Sequence, residues 1–288
     1  MSVGVAELAA EEPLVLCEVD EDGVALITWN RPHRRNAWTP AMEAEYFGLL
    51  RSASADPAVR VIVVTGAGRD FCPGMDMEVL ANSSNGSRDN VPELREPQTV
   101  PMTIPKPIVA AVQGACAGTG LIQACVADVR FSTPDAKITA AFPRRGIMAE
   151  HGLAVLLPAL VGTAHALDIL ISGRIVSGSE ASQMGLVRLS EEGRVLDDAL
   201  AYARDLARNC SPQAVAITKA QVYKDLREPL ESARLDALRL WRSLRDHGDF
   251  KEGVSSFKER RTPRFAPIGE AALIEIDNIF NGTKEIPS

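Results

Sequence analysis

The sequence predicts an α/β fold, on three observations. Short apolar runs of buried-strand length recur at residues 59–65, 108–112 and 129–132. The first two feed glycine-bearing turns, and an apolar helical segment at 121–126 follows the second. From Ser211-Pro212 onward the pattern changes to helices. Strand, strand and helix in repeated succession make a layered α/β core, here closed by a helical region.

Taken in order, residues 13–28 read as a hairpin, with Asp20-Glu-Asp-Gly23 as its turn and 24–28 as the returning strand. Thr39 then caps a helix with Pro40 at its first position. Met42, Tyr46, Leu49 and Leu50 give that helix an apolar stripe for the core. Residues 82–98, rich in Ser, Asn, Gly, Arg and Glu, lack the apolar content to order themselves, and a surface loop that orders with a ligand is expected. After the strand at 108–112, Gly114, Gly118 and Gly120 permit a tight turn whose backbone N–H groups face a ligand. The helix that follows would add its own unpaired N–H groups, a setting that collects negative charge. Ser211 is a good cap with Pro212 behind it, and Leu230, Leu235, Leu238 and Trp241 continue an apolar stripe. The expected division is a core at 1–205, a helical region at 206–265 and an extension at 266–288.

Composition narrows the function. A chain of 288 residues with 46% hydrophobic and 24% charged residues has the make-up of a globular protein. Its net charge of −7 argues against a general nucleic-acid binder, which needs a basic face. No apolar run is expected to be long enough to cross a bilayer, and residues 1–13 are acidic rather than a signal peptide, so a cytoplasmic protein with no membrane partner is expected. Five scattered cysteines, without a CxxC pair or a His cluster, read as reduced structural thiols, and no metal is expected.

Two segments share one plan: apolar strand, glycine turn, small loop. They are Val61-Ile-Val-Val-Thr-Gly-Ala-Gly-Arg-Asp-Phe-Cys-Pro-Gly-Met-Asp-Met77 and Ile104-Pro-Lys-Pro-Ile-Val-Ala-Ala-Val-Gln-Gly-Ala-Cys-Ala-Gly-Thr-Gly120. Together with Val24-Ala-Leu-Ile-Thr-Trp-Asn-Arg-Pro32, Arg35-Asn36-Ala37 and Phe257-Lys-Glu-Arg-Arg261, they resemble the crotonase family, the enoyl-CoA hydratase/isomerase superfamily, over most of the chain. The resemblance implies a spiral of β-β-α units, a C-terminal helical region packed between subunits of a homotrimer or homohexamer, and an acyl-CoA substrate. It implies no permanently bound cofactor, coenzyme A arriving as part of the substrate.

The same resemblance assigns the site. The backbone N–H groups of Met75 and Thr119 would form an oxyanion hole for the thioester oxygen, with Gly74 and Gly118 beside them in the substrate pocket. Thr119 stands where the family usually has glycine, so its Cβ could oppose the required backbone geometry. Typical hydratases activate water with two glutamates, and this chain has Ile122 and Phe142 at those pocket positions. Neither moves a proton, so weak hydration is expected. Glu150 falls where several members, mostly double-bond isomerases with a few other acyl-CoA enzymes, place a single catalytic aspartate. The other role open to Glu150 is that of an acid at the start of the next helix. Arg34, Arg35 and Ala37 resemble the loop beside the CoA adenosine and phosphates, and Lys258 would reach those phosphates. The expected activity is isomerisation of a Δ3 to a Δ2 enoyl-CoA. Hydration with a single carboxylate and non-catalytic acyl-CoA binding are the alternatives.

Overall fold

The computed structural model describes residues 12–79, 96–145, 148–225, 249, 252, 256 and 259–281. β1 (Val15–Val19) and β2 (Val24–Trp29) form the expected hairpin. In its turn, Asp20 Oδ1 accepts from the N–H groups of Asp22 and Val24, at 3.0 Å each. β3 (Val61–Gly66), β4 (Ile108–Val112), β6 (Val129–Ser132) and β9 (Arg188–Leu189) extend the sheet from β2, each pairing parallel to its neighbour in the order β1-β2-β3-β4-β6-β9. β5 (Ala115–Ala117), β7 (Lys137–Thr139) and β8 (Val176–Ser177) make a second, three-stranded sheet.

β3 is buried on both faces, and its alternating side chains serve two cores. Ile62 and Val64 join the main cluster, which holds Trp29, Trp38, Tyr46 and Phe71. Trp29 meets Trp38 edge-on at 5.3 Å between ring centroids and Phe71 at 4.6 Å. Val61 and Val63 pack on the opposite face with Ala199, Ala203 and Ala207. α1 (Pro40–Ala55) begins as expected, Thr39 Oγ1 accepting from Met42 N at 3.2 Å. Its buried face holds Met42, Tyr46 and Leu50, and also Phe47 and Glu43.

α2 (Thr119–Val126) starts two residues before the apolar segment seen in the sequence, and all eight of its residues are buried. α3 (Leu153–Ser172) corrects the expectation that no run could cross a bilayer: it has 20 residues, and an 18-residue stretch of it has a mean hydropathy of 1.9, enough by length and composition. Its regular course breaks at Gly162 (φ 76°, ψ 159°), leaving two shorter helical segments, each well below the roughly 20 residues a span needs. Leu153, Leu156, Leu157, Val161, Ala166 and Ile169 are buried, whereas Val155, Leu167 and Ile171 are exposed.

α4 (Gly178–Gln183) is capped by Ser177, and α5 (Val195–Asn209) covers the outer face of the sheet. α5 runs unbroken through residues 205 and 206, with Ala203 before them and Ala207 after them both packed on the sheet. α6 (Pro212–Asp225) follows its Ser211 cap. Buried Lys219 fastens α6 to the core through an ion pair with Asp128 at 2.8 Å and hydrogen bonds to the carbonyls of Pro101 and Lys106. The extension is not featureless: α7 (Glu270–Asn281) packs Ala272 and Ile276 on Ala216, Ile217 and Ala220 of α6. Leu230, Leu235, Leu238 and Trp241, and residues 82–95 of the expected loop, lie outside the described residues.

Candidate active site

Two loops meet at the N-terminus of α2. The backbone at Cys72 pairs in parallel with that at Cys116, Cys72 N donating to Ala115 O and Ala117 N to Cys72 O, each at 2.9 Å, and both thiols are free. Gly74 (φ 101°) and Gly118 (φ 51°) lie against each other; a methyl group on Gly74 would sit 3.0 Å from Ala117 O and 3.7 Å from Gly118 Cα. Both glycines use backbone that a side chain opposes, and at Gly74 the contact of a methyl group with Ala117 O would also be tight.

The residue after each glycine is a sequence-expected donor. Trp38 N donates to Gly74 O and Asp76 N donates to Trp38 O, both at 2.8 Å, so the backbone of Met75 is clasped while its own N–H has no partner among the described residues. Thr119 is the first residue of α2, where an N–H has no intrahelical acceptor. Gly118 carries the left-handed backbone and Thr119 is helical, so threonine at 119 meets no backbone penalty.

Met75 and Thr119 line one cavity of about 790 Å³ together with Gly74, Gly118, Phe142 and Glu150. Arg34, Arg35 and Ala37 line it too. Glu150 is half-buried, and its carboxyl group makes no hydrogen bond or ion pair with any described residue. α3 begins after Gly152 (φ 78°); Leu153 N donates to the backbone carbonyl of Glu150 at 3.0 Å, and the Glu150 carboxyl group makes no hydrogen bond to the start of the helix. His151 (φ 52°) and Arg145 also border the cavity. Arg145 was not among the site residues expected from the sequence; among the described residues its guanidinium makes one hydrogen bond, 3.5 Å to Ala141 O, and no ion pair. Its place directly after Phe142-Pro-Arg is the signal that marks it.

One expected pocket residue is elsewhere. Ile122 is 1% exposed and belongs to the main core, not to the lining. It sits one turn along α2, with its N–H bonded to Gly118 O at 3.0 Å. Phe142 (5% exposed) serves both core and cavity. Lys258 lies outside the described residues.

Charge around the cavity is organised in pairs. Asp76 receives Arg31 at 3.3 Å and Arg34 at 3.2 Å, and its Oδ1 accepts from Glu78 N at 3.0 Å. Burial pushes the Asp76 carboxyl up, but the Glu78 N–H and the two guanidinium groups outweigh it and hold its pKa below the ordinary value. Arg34 also reaches Glu78 at 2.8 Å, and Arg35 reaches Asp70 at 2.8 Å. Cys72, Cys116 and Cys125 are buried; burial pushes the thiols of Cys72 and Cys125 up to about 12 and that of Cys116 well above its ordinary value, which disfavours them as nucleophiles. Among the described residues no cluster of three His, Cys, Asp or Glu side chains is placed to hold a metal ion.

The sequence profile of the enoyl-CoA hydratase/isomerase family matches residues 20–267. The enoyl-CoA hydratase ACTT3 of Alternaria alternata is 33% identical over 249 residues, covering 85% of this chain and 84% of that protein. The 1,2-epoxyphenylacetyl-CoA isomerase of Escherichia coli (strain K12) is 30% identical over 254 residues, covering 85% and 95%. The crystal structure of enoyl-CoA hydratase from Mycobacterium tuberculosis H37Rv superposes with a TM-score of 0.79 at 30% identity, covering 88% of this chain and 99% of that one.

Proposed function

This chain belongs to the enoyl-CoA hydratase/isomerase family, the crotonase superfamily, and from that membership we propose that it moves a double bond from Δ3 to Δ2 in an enoyl-CoA. One observation carries the choice: Glu150 borders the cavity with a carboxyl group that no described residue engages. Ile122 and Phe142, which the resemblance sets at the positions of the hydratase glutamates, are apolar and buried. A carboxylate at Glu150 removes a proton from C2 of the thioester. The electron pair spreads through the dienolate onto the thioester oxygen, where the N–H groups of Met75 and Thr119 receive the charge and the start of α2 adds its dipole. The protonated Glu150 then returns the proton at C4, and the double bond ends between C2 and C3. No water enters the reaction. Arg34, Arg35 and Ala37 supply the CoA end of the cavity. The chain is proposed to work as a homotrimer or homohexamer, a reading supported by the exposed apolar residues of α3.

The test is proton exchange between a 3-enoyl-CoA and deuterated water. Glu150→Gln keeps the shape and removes the base, so exchange should fall about 10²- to 10⁴-fold with acyl-CoA binding retained. Equal exchange by wild type and variant would remove Glu150 from the mechanism. Hydration of crotonyl-CoA should be slow beside a two-glutamate relative; turnover at ordinary hydratase rates would overturn the isomerase reading.

A further inference from the structure

Behind the cavity, without lining it, a buried polar chain crosses the core. Glu43 Oε2 accepts from Trp38 Nε1 at 2.9 Å and from Gln98 Nε2 at 2.6 Å. Gln98 Oε1 in turn accepts from Gln123 Nε2 at 2.7 Å, and that amide also reaches Gln98 O at 3.3 Å. Trp38, Glu43, Gln98 and Gln123 are each at most 5% exposed. Burying a carboxyl group among apolar side chains is costly unless it is hydrogen-bonded, and α1 already has Met42, Tyr46, Phe47 and Leu50 to hold it in the core. Packing alone therefore gives no reason for a glutamate here.

The two ends of the chain supply one. Trp38 is the residue whose backbone clasps Gly74 and Asp76 on either side of Met75. Gln123 belongs to α2, the helix whose first residue is Thr119. One carboxyl oxygen is thus tied to both segments that present an N–H to the cavity, through bonds whose directions fix relative position more tightly than apolar contact does. We propose that Glu43 is a positioning residue: through Trp38 on one side and Gln98–Gln123 on the other, it sets the spacing of the Met75 and Thr119 donors. This role rests on the oxyanion-hole reading given above. It acts on the transition state more than on binding, because a shift of about 1 Å in a donor costs up to roughly 10²-fold in rate.

The experiment compares wild type, Glu43→Met and Glu43→Gln with hexanoyl-CoA carrying ¹³C at the thioester carbonyl. This saturated probe needs no turnover. Binding to the wild type should lower the carbonyl stretching frequency. Glu43→Met should lose most of that lowering with little change in dissociation constant, and proton exchange in a 3-enoyl-CoA should drop about 10- to 100-fold in kcat rather than in KM. Glu43→Gln, whose amide oxygen can accept both bonds, should restore most of each effect. If Glu43→Met fails to fold, Gln98→Leu carries the comparison, since it cuts the link to α2 and leaves Glu43 on Trp38. A folded Glu43→Met or Gln98→Leu protein with the full wild-type frequency lowering overturns the role. No lowering in the wild type removes the oxyanion hole and the role of Glu43 with it. Lowering without proton exchange in the wild type sinks only the isomerase reading, and the Glu43 comparison then still decides.

Discussion

At Asp70, one nearly buried carboxyl group receives Arg35 at 2.8 Å, Arg69 at 3.3 Å and the N–H of Ala115 at 2.8 Å. The Arg35 hydrogen bond, against an opposing effect of burial and with help from Ala115 and Arg69, brings its pKa down from 3.8 to about 2. A carboxylate whose pKa is depressed by folding stabilises the protein above its unfolded pKa and loses that contribution as pH falls through the folded one. The contribution of Asp70 should therefore be complete above about pH 4 and drain between there and about pH 2. In acid titration followed by circular dichroism, Asp70→Asn should lie closer to the wild type at pH 2 than at pH 6. Single positions also show what a sequence conceals. Glu43 follows Met42 on a helix read as amphipathic, and the partners that justify burying it, Trp38 and Gln98, lie 5 and 55 residues away. The left-handed Gly74 and Gly118 were legible because only glycine takes that backbone readily.

Among the elements, α2 shows most clearly how close contact sets geometry. A methyl group on Gly120 would fall 2.2 Å from Cys72 O and 2.9 Å from Cys72 Cβ, so α2 approaches the first loop as closely as backbone allows. Gly120→Ala must push α2 away from that loop. A loss of about 1–3 kcal/mol in chemical denaturation is expected, with proton exchange lost more severely than stability alone predicts, because Thr119 moves with the helix. Wild-type exchange in that variant would mean that the position of α2 is immaterial. β3, β4 and α1 were readable in advance because their local patterns are strong, apolar runs of five or six residues and a Thr-Pro start, whereas the two- and three-residue strands β5, β7, β8 and β9 are too short to leave a pattern. α2 gave no such phase. With every residue buried, its sequence carries no periodicity to say which side meets the cavity, and Ile122 was placed there although it faces the core.

On the scale of the whole molecule, Val155, Leu167, Ile171 and Ile175 are each at least half exposed and fall within a short stretch in and after α3. Isolated apolar residues at a surface are ordinary, but a concentration of them marks a contact region. Light scattering should report a trimer or hexamer, and Ile171→Glu should shift the population toward smaller species with the fold retained. A monomeric wild type at micromolar concentration would refute this. At this scale the sequence was informative about class and much less so about boundaries. The change to helices after Ser211 is visible because a capping serine and a proline mark it, whereas the packing of α7 on α6 joins residues more than fifty positions apart and leaves no local trace. The break in α3 depends on one glycine, Gly162, in a run that otherwise reads as unbroken apolar helix.

The three sheltered thiols also make the protein its own reporter of opening. A group titrating at about 12 is ionised in only about one molecule in 10⁵ at neutral pH, and alkylating reagents attack the ionised form. Iodoacetamide should label the half-buried Cys17 and Cys210 of the native protein well before Cys72, Cys116 and Cys125. Cys72 and Cys116 sit on the paired segments that carry the two N–H donors, so mass-spectrometric counting of their labels over time measures how often that pair comes apart. A bound thioester that grips both segments should slow this labelling and leave the rate at Cys210 unchanged.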